Sequence, residues 1–360
     1  MPASYSGFET CVENLGKRLA ARGHHVIVYC RRQRGKPPLK QYLGMQLVTL
    51  PAVRTKGLET MSHSALSTIH SLMFARPDAV IIFGVGNAIF SRLLHLGQIP
   101  SAINVDGADW LRLKWGSFAR TYLRLSKRIA TSSSSVLIAD SHAVAEAYCA
   151  AGDRTVFIPY GSEVPRDVGV DTLLRFGLRP RSYFLAVGRL VPENGFHHLL
   201  RAYKQIASPF PLVIVGDAPY AEDYKRRLRE LAPPNTIFTG YQFGSAYHEL
   251  SRSAYAFLFA AEVGGTHPVL IEQLAHGNCV LARTTDSNVE VLGNAGMLFR
   301  NEEELVQGMA LLVNSPEVVA SFRRQARARA LLYSWDEVTD SYERLLDSMV
   351  ARKTVRSGER

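Results

Sequence analysis

With 360 residues, 47% of them hydrophobic, the chain has the size of two globular domains and the composition of a protein with substantial cores. No apolar run approaches the roughly 18 residues of a membrane span, no secretory leader opens the sequence, and the four scattered cysteines form no C-x-x-C pair, which argues against a zinc site and for a reducing cytoplasm. The balance of 42 basic against 32 acidic residues gives +10 and calls for an anionic partner: a nucleotide or a lipid phosphate rather than nucleic acid, since no zinc-finger or RNP-type pattern occurs.

Helical periodicity starts almost at once, with Val12, Leu15, Leu19 and Ala20 on one face and Gly23 as the stop. Residues 25–30, 45–50 and 79–84 read as strands, and a helix precedes the last of these, running to about Phe74. Gly84-Val-Gly86 lacks the third glycine of a dinucleotide fingerprint, so it predicts a tight turn at a strand end and not a nicotinamide site. Residues 101–105 form the next strand. From Trp110 to Ala139 there is no acidic residue, while Arg112, Lys114, Arg120, Arg124, Lys127 and Arg128 supply six positive charges. Phe118, Tyr122, Leu125 and Ile129 are spaced for one face of a helix and Arg120, Arg124 and Lys127 for another. Two readings stand for this patch: a surface that lies on anionic lipid, or an ordinary core-facing helix with a solvated basic side. Residues 136–139 give a strand ended by Asp140-Ser141.

A polar, Pro- and Arg-containing stretch at 162–182 suits a linker. Strands follow at 183–187, ending in Gly188-Arg189, and at 211–216, 236–240 and 254–259, with amphipathic helices between them. Such alternation predicts a doubly wound parallel sheet. The most informative stretch comes next. Glu262-Val-Gly-Gly-Thr-His-Pro268 leads from a buried strand through a glycine turn into a short helix at 269–276, stopped by Gly277, with a strand at 279–282. Gly264 and Gly265 let the backbone turn tightly and approach a ligand. Thr266 is placed to cap and Pro268 suits the first helical turn. Unpaired N–H groups and the helix dipole make such a junction an anion site, and Glu272, one turn in, presents a carboxylate to a sugar hydroxyl.

These residues also carry a resemblance. Val263-Gly-Gly-Thr-His-Pro-Val-Leu-Ile-Glu272, continuing to Val280, is similar to the sugar-nucleotide motif of the retaining GT-B glycosyltransferases of family 4, and more narrowly to its rhamnosyltransferase-type subgroup. Three further segments resemble the same subgroup: the loop 2–10 with Gly7 and Glu9, the segment 56–63 with Lys56 and His63, and Asp106-Gly-Ala-Asp109 running on to Gly116. In the family's E-x7-E pair the second glutamate corresponds to Glu272, whereas Gly264 stands in the place of the first and Glu262 lies two residues upstream. Asn194 replaces a lysine of the wider family, as it does in the subgroup, leaving Arg189 as the main cation.

The resemblance implies an α/β chain of two Rossmann-like doubly wound domains. The N-terminal one, at 1–161, bears the acceptor and lacks its first strand. The linker 162–182 follows, then a nucleotide-sugar domain at 183–331, a closing helix at 332–349 that returns to the N-domain, and a frayed basic tail at 350–360. The gap in the first sheet favours a true start upstream of Met1. The donor is a nucleoside diphosphate sugar held by Gly188, Arg189, Asn194, Gly264, Gly265, Thr266 and Glu272, with Asp106, Arg189 and Glu272 closest to the chemistry. Gly7, Glu9, Lys56, His63 and Asp109 line the acceptor side or the cleft. No Asp-x-Asp pair occurs, so neither metal nor cofactor is expected. The acceptor is a saccharide, lipid-linked, in surface or exopolysaccharide assembly, with the enzyme in the cytoplasm at the inner face of the membrane. The rivals are a sugar-nucleotide epimerase on the same architecture and an inactive binding protein.

Overall fold

The computed structural model describes the chain apart from residues 3–6, 33–36, 54, 56–57, 106–116, 134, 164–168, 220 and 359–360. It divides into two units, Met1–Tyr160 with Trp335–Arg360, and Gly161–Ser334.

In the first unit the apolar periodicity after Gly7 becomes helix α1 (Gly7–Ala21), which buries Cys11, Leu15 and Leu19. Strands β1 (Ile27–Arg31), β2 (Gln41–Tyr42) and β3 (Met45–Leu50) form a small sheet in the order β1-β3-β2. Helix α2 (Leu58–His70) runs into a π-turn (Ser71–Ala75). Four parallel strands follow in spatial as well as chain order: β4 (Val80–Phe83), β5 (Ser101–Asn104), β6 (Val136–Ala139) and β7 (Thr155–Phe157). They are linked by α3 (Ile89–Leu96), α4 (Ser117–Ser132) and α5 (His142–Ala147). Right-handed crossovers between neighbouring parallel strands put α3 and α4 on one face of this sheet. Gly84 ends β4 in a tight 3-10 turn, as the incomplete glycine pattern indicates.

Strands β5 and β6 are buried throughout, as parallel strands covered on both faces must be. Strand β4, Val-Ile-Ile-Phe, is just as apolar yet only half-buried, and β1 is nearly so. The cause is a gap. Among the described residues β1 pairs only with β3 and β4 only with β5, and a cavity of about 910 Å³ lies between them, lined also by α1, α2 and the C-terminal helix. Among the described residues the sheet of this unit is therefore in two parts, with no strand joining them.

The second unit holds one six-stranded parallel sheet: β8 (Phe184–Val187), β9 (Leu212–Val215), β10 (Thr236–Gly240), β11 (Ala256–Phe259), β12 (Cys279–Arg283) and β13 (Met297–Phe299), in the order β10-β9-β8-β11-β12-β13. The chain steps outward from β8 to β10, then crosses back over β8 to build the other half. Helices α6 (Asp171–Arg175), α7 (Phe196–Lys204), α8 (Glu222–Leu231), α9 (Gly244–Ser253), α10 (Pro268–Ala275), α11 (Asp286–Leu292), α12 (Glu302–Asn314) and α13 (Pro316–Ala330) complete it. Phe184, Leu212, Ile214, Leu258 and Leu281 sit in its core.

Two boundaries differ from the sequence reading. The stretch 162–182 is not a free linker: it carries α6, buries Leu173 and Leu178, and the Leu173 N–H donates to Glu249 Oε1 at 2.7 Å. Its polar composition conceals those two anchoring leucines. The last helix, α14 (Trp335–Gly358), continues beyond residue 349. It packs on α1 through buried Tyr342, whose hydroxyl accepts from Asn104 Nδ2 at the end of β5 (3.2 Å), and through a rim of ion pairs in which Arg22 meets Asp340 (2.6 Å) and Glu343 (2.7 Å). Among the described residues no single helix is long and apolar enough to cross a membrane.

Candidate functional site

In an open parallel sheet, ligands bind beyond the carboxyl ends of the strands where the strand order reverses. In the second unit that point lies between β8 and β11, and the loops leaving these strands contain Gly188-Arg189 and the 262–267 turn. Glycine brings the backbones together there. At Gly216 (φ 139°), just after β9, a Cβ would stand 1.9 Å from the carbonyl oxygen of Gly188. At Gly195 (φ 68°) it would stand 2.2 Å from the carbonyl oxygen of Ala260. Both approaches exclude any side chain.

Hydrogen bonds then lock the loops. The N–H of Leu190 donates to the Asp217 carbonyl (3.2 Å) and that of Glu262 to the Glu193 carbonyl (2.9 Å). Asn194, expected at the donor, spends its side-chain N–H on the Arg189 carbonyl (2.7 Å), so it shapes the loop that carries Arg189. Arg189 itself is half-buried and forms no ion pair with another described residue. A guanidinium held this way is fitted to an anion with paired oxygens.

At the carboxyl end of the neighbouring strand, the turn after β11 is set by His267. Its ring lies edge-on to Phe259 (4.9 Å between centroids) and folds over Gly264, where a Cβ would meet Nε2 at 2.6 Å. The helix-capping position also falls on His267 and not on Thr266, and the His267 side chain makes no capping hydrogen bond; Thr266 is buried one residue earlier. The reason is Pro268, which fixes the first helical residue and hands the cap position to its predecessor. Among the described residues the N–H groups of Gly264 and Gly265 donate to no backbone carbonyl. With the first turn of α10 they form a positive end suited to a phosphate.

Glu272, in the second turn of α10, accepts a 2.5 Å hydrogen bond from the hydroxyl of Tyr247 on α9. Gln273 Nε2 donates to the same hydroxyl (3.2 Å) and to Ser251 Oγ (2.9 Å), and Asn278 Nδ2 donates to Gln273 Oε1 (2.6 Å). Burial pushes the Glu272 carboxyl up to about 7, against the Tyr247 hydrogen bond, which holds it down. Next to this network His276 is kept neutral, burial and the nearby His248, Arg252 and Arg181 pushing it down to about 3. Glu262 is placed differently. It is exposed and faces His198 Nε2 (3.2 Å) and Arg283 (3.4 Å).

Sequence reasoning missed Tyr247 and His267. The only signal for Tyr247 is that a half-buried carboxylate needs a donor; the donor's position in the chain cannot be read from that need.

In the first unit, Gly7 and Glu9 stand in the opening turn of α1. His63, on α2, lines the interior cavity between β1 and β4, and burial lowers its pKa. Lys56, Asp106, Asp109, Arg112 and Lys114 lie outside the described residues. On α4, Arg124 and Arg128 are exposed, Arg120 is half-buried, and the Lys127 ammonium lies 5.3 Å from the centre of the Tyr148 ring. The buried face of α4 is not the apolar face read from the spacing. Leu123, Ser126, Ile129 and Ala130 are buried, whereas Leu125 is 52% exposed, between Arg124 and Arg128. At 3.6 residues per turn either 125 or 126 can follow Tyr122 inward, and the small Ser126 takes the place.

Two family models match this chain, a glycosyl transferase 4-like domain over residues 6–161 and glycosyl transferases group 1 over residues 181–315. Among curated proteins it is similar to an O-antigen chain mannosyltransferase C of Escherichia coli, 25% identical over 286 residues and 74% of each chain. It is also similar to an uncharacterized glycosyltransferase of Haemophilus influenzae (26% over 171 residues, 45% of this chain) and to a Campylobacter jejuni N-acetylgalactosaminyltransferase whose name includes diphospho-undecaprenol (26% over 172 residues, 46% of this chain). The chain spans about half the length of these last two relatives, 48% and 46%. Among solved structures, Anabaena HepE in complex with UDP-glucose superposes with a TM-score of 0.77 at 18% identity, over 96% of this chain and 97% of that one. Two matched halves in sequence and a shared two-domain architecture lead to one assignment: the chain belongs to the GT-B glycosyltransferases.

Proposed function

We propose that this chain transfers a glycosyl group from a nucleoside diphosphate sugar to a saccharide acceptor, with retention of anomeric configuration. The observation that carries the reading is the half-buried Arg189 guanidinium, without an ionic partner among the described residues, set with the Gly264 and Gly265 amides at the carboxyl ends of β8 and β11. The chemical task is departure of the diphosphate. As the bond between the anomeric carbon and the phosphate oxygen breaks, charge grows on the diphosphate, and preorganised donors stabilise it without reorganising. Arg189, the 264–265 amides and the N-terminal end of α10 are those donors. The acceptor hydroxyl attacks from the face the diphosphate leaves, and its proton passes to the departing phosphate oxygen.

Glu272, ionised, accepts hydrogen bonds from the ribose hydroxyls and so positions the nucleotide. By motif alone, Asp106 is assigned to the reacting groups, and Gly7, Glu9, Lys56, His63 and Asp109 to the acceptor side or the cleft. The relatives' names favour polysaccharide assembly and a lipid-linked acceptor; the narrower motif favours rhamnose as the sugar. A membrane-borne acceptor also gives the basic face of α4 a role in peripheral attachment. The test is a panel of nucleotide sugars screened by thermal stabilisation, followed by NMR of the anomeric proton in the product of the best donor. A product of inverted configuration refutes retention; a donor that stabilises the chain but is hydrolysed only at the background rate, with no transfer, refutes the enzyme.

A further inference from the structure

We infer that the amino-terminal pole of the second unit's sheet, opposite the strand ends that carry Arg189, holds a phosphate-class oxyanion among the guanidinium groups of Arg181, Arg323 and Arg327. Strands β8, β11 and β12 are neighbours in that sheet, so the segments entering them lie side by side. Arg181 precedes β8, Ala254 precedes β11 and Gly277 precedes β12. The Ala254 carbonyl accepts from Nη1 of Arg181 (2.8 Å) and from Nη1 of Arg323 on α13 (3.0 Å), and the same Arg323 nitrogen reaches the Tyr255 carbonyl (3.2 Å). Arg327, one turn further along α13, lies over Gly277, where a Cβ would stand 2.5 Å from its Nε. Three guanidinium groups thus converge on adjoining strand entries.

Capping of the carbonyl end of α9 does not account for them. One cation serves a helix C-terminus. Here two arginines share one carbonyl, and Arg327 makes no hydrogen bond among the described residues. None of the three forms an ion pair with a described carboxylate. Glu249, on α9, is spent on the Leu173 N–H. The arrangement is costly. Like charges repel, and Arg181 holds a left-handed backbone (φ 61°) that a residue with a side chain rarely adopts. Burial, Arg327 and Arg252 all push the Arg181 guanidinium below its ordinary pKa. Two buried nitrogens also have no hydrogen-bond partner among the described residues, Arg323 Nη2 and His276 Nδ1, and His276 is only 4% exposed. His276 lies within the electrostatic reach of Arg252 and Arg181. A bound oxyanion relieves the repulsion and takes up the forked donors. Three cations call for a charge near −2 and for oxygens pointing in three directions, which a phosphate group has and a carboxylate lacks.

The test is calorimetric titration of the full chain with inorganic phosphate and, separately, with glycerol 3-phosphate, at constant ionic strength against chloride. The native chain is expected to bind inorganic phosphate saturably and to melt higher in its presence. Binding of both compounds identifies a phosphoryl group as sufficient; binding of the inorganic ion alone identifies the free anion. Arg327→Gln gives up no described hydrogen bond, so it should melt no lower than the native chain without phosphate and bind phosphate at least about tenfold more weakly. Arg181→Lys keeps the charge but loses the fork, and should weaken binding as well. Should either variant misfold, the other decides. Arg189→Ala, at the opposite pole, should leave phosphate binding intact. No saturable binding by the native chain, unchanged binding by a folded Arg327→Gln or Arg181→Lys chain, or binding lost in Arg189→Ala overturns the inference. The site is independent of the proposed transfer: a chain that binds phosphate here without transferring sugar retains this site alone, and one that transfers sugar without binding phosphate here retains the enzymatic function alone.

Discussion

Replacing Glu272 with Gln is expected to stabilise the chain at pH 8 while weakening its hold on a sugar nucleotide. Burial raises the Glu272 carboxyl from its ordinary 4.5 to about 7. At 1.36 kcal/mol per unit that rise corresponds to about 3 kcal/mol, which the partial exposure of the side chain reduces to about 2 kcal/mol. The sign follows from which state binds more protons. Between pH 4.5 and 7 the folded chain keeps a proton that the unfolded chain has lost, so this group's contribution is fully present below pH 4.5 and is lost as pH rises through 7. Glutamine does not titrate, yet its carbonyl can still accept the Tyr247 hydrogen bond. The melting temperatures of native and Glu272→Gln chains should therefore coincide near pH 4.5 and separate by about 4–8 °C in favour of the variant at pH 8. Scanning calorimetry at the two pH values measures the gap, and titration with a sugar nucleotide at pH 8 measures the loss of affinity. A gap that is absent, or that favours the native chain, refutes the placement of an ionised carboxylate in this buried network. Equal affinities refute its contact with the nucleotide.

Other substitutions probe the same site. Glu272→Ala should weaken donor binding more than Glu262→Ala, measured by calorimetric titration, because Glu262 faces solvent and the side chains of His198 and Arg283; equal effects undo the assignment of the pair. Arg189→Ala should lower kcat by about 10²–10³-fold with little change in the KM for acceptor if, as proposed, its charge acts on the departing diphosphate; undiminished turnover removes it from that role. Tyr247→Phe deletes the donor that holds the Glu272 carboxyl down, so the pH at which donor affinity rises should move above 7; a profile that does not move leaves Tyr247 as packing alone. Gly195→Ala forces a Cβ to within 2.2 Å of the Ala260 carbonyl from a left-handed backbone, and should lower the melting temperature by several degrees, about 1–3 kcal/mol.

The parts of this molecule that could be read from sequence are those whose physics is local. Phe-Leu-Ala-Val, Leu-Val-Ile-Val and Ala-Phe-Leu-Phe announce buried parallel strands because both faces are covered and no alternation is needed. The turn proposed to bind an anion shows itself through glycine spacing, since a site built of backbone leaves its trace where side chains are forbidden. Sites made by one side chain meeting another leave no such trace. Glu272 and Tyr247 are 25 positions apart on different helices, and only the packing of α9 against α10 brings them within 2.5 Å. Leu125 illustrates the limit within a single helix, where periodicity leaves two neighbours competing for one inward place and the close approach of other elements chooses the smaller. Residues 162–182 show it at a boundary: two buried leucines outweigh a polar majority, because the apolar area removed from water, and not average composition, decides what packs. The same distinction orders the site. Its proposed grip on a diphosphate follows from a glycine pattern fixed within a few residues, whereas the protonation of Glu272 depends on a tyrosine the pattern does not contain, so a chain carrying the same glycines with phenylalanine at position 247 should bind the same anion with a different pH dependence.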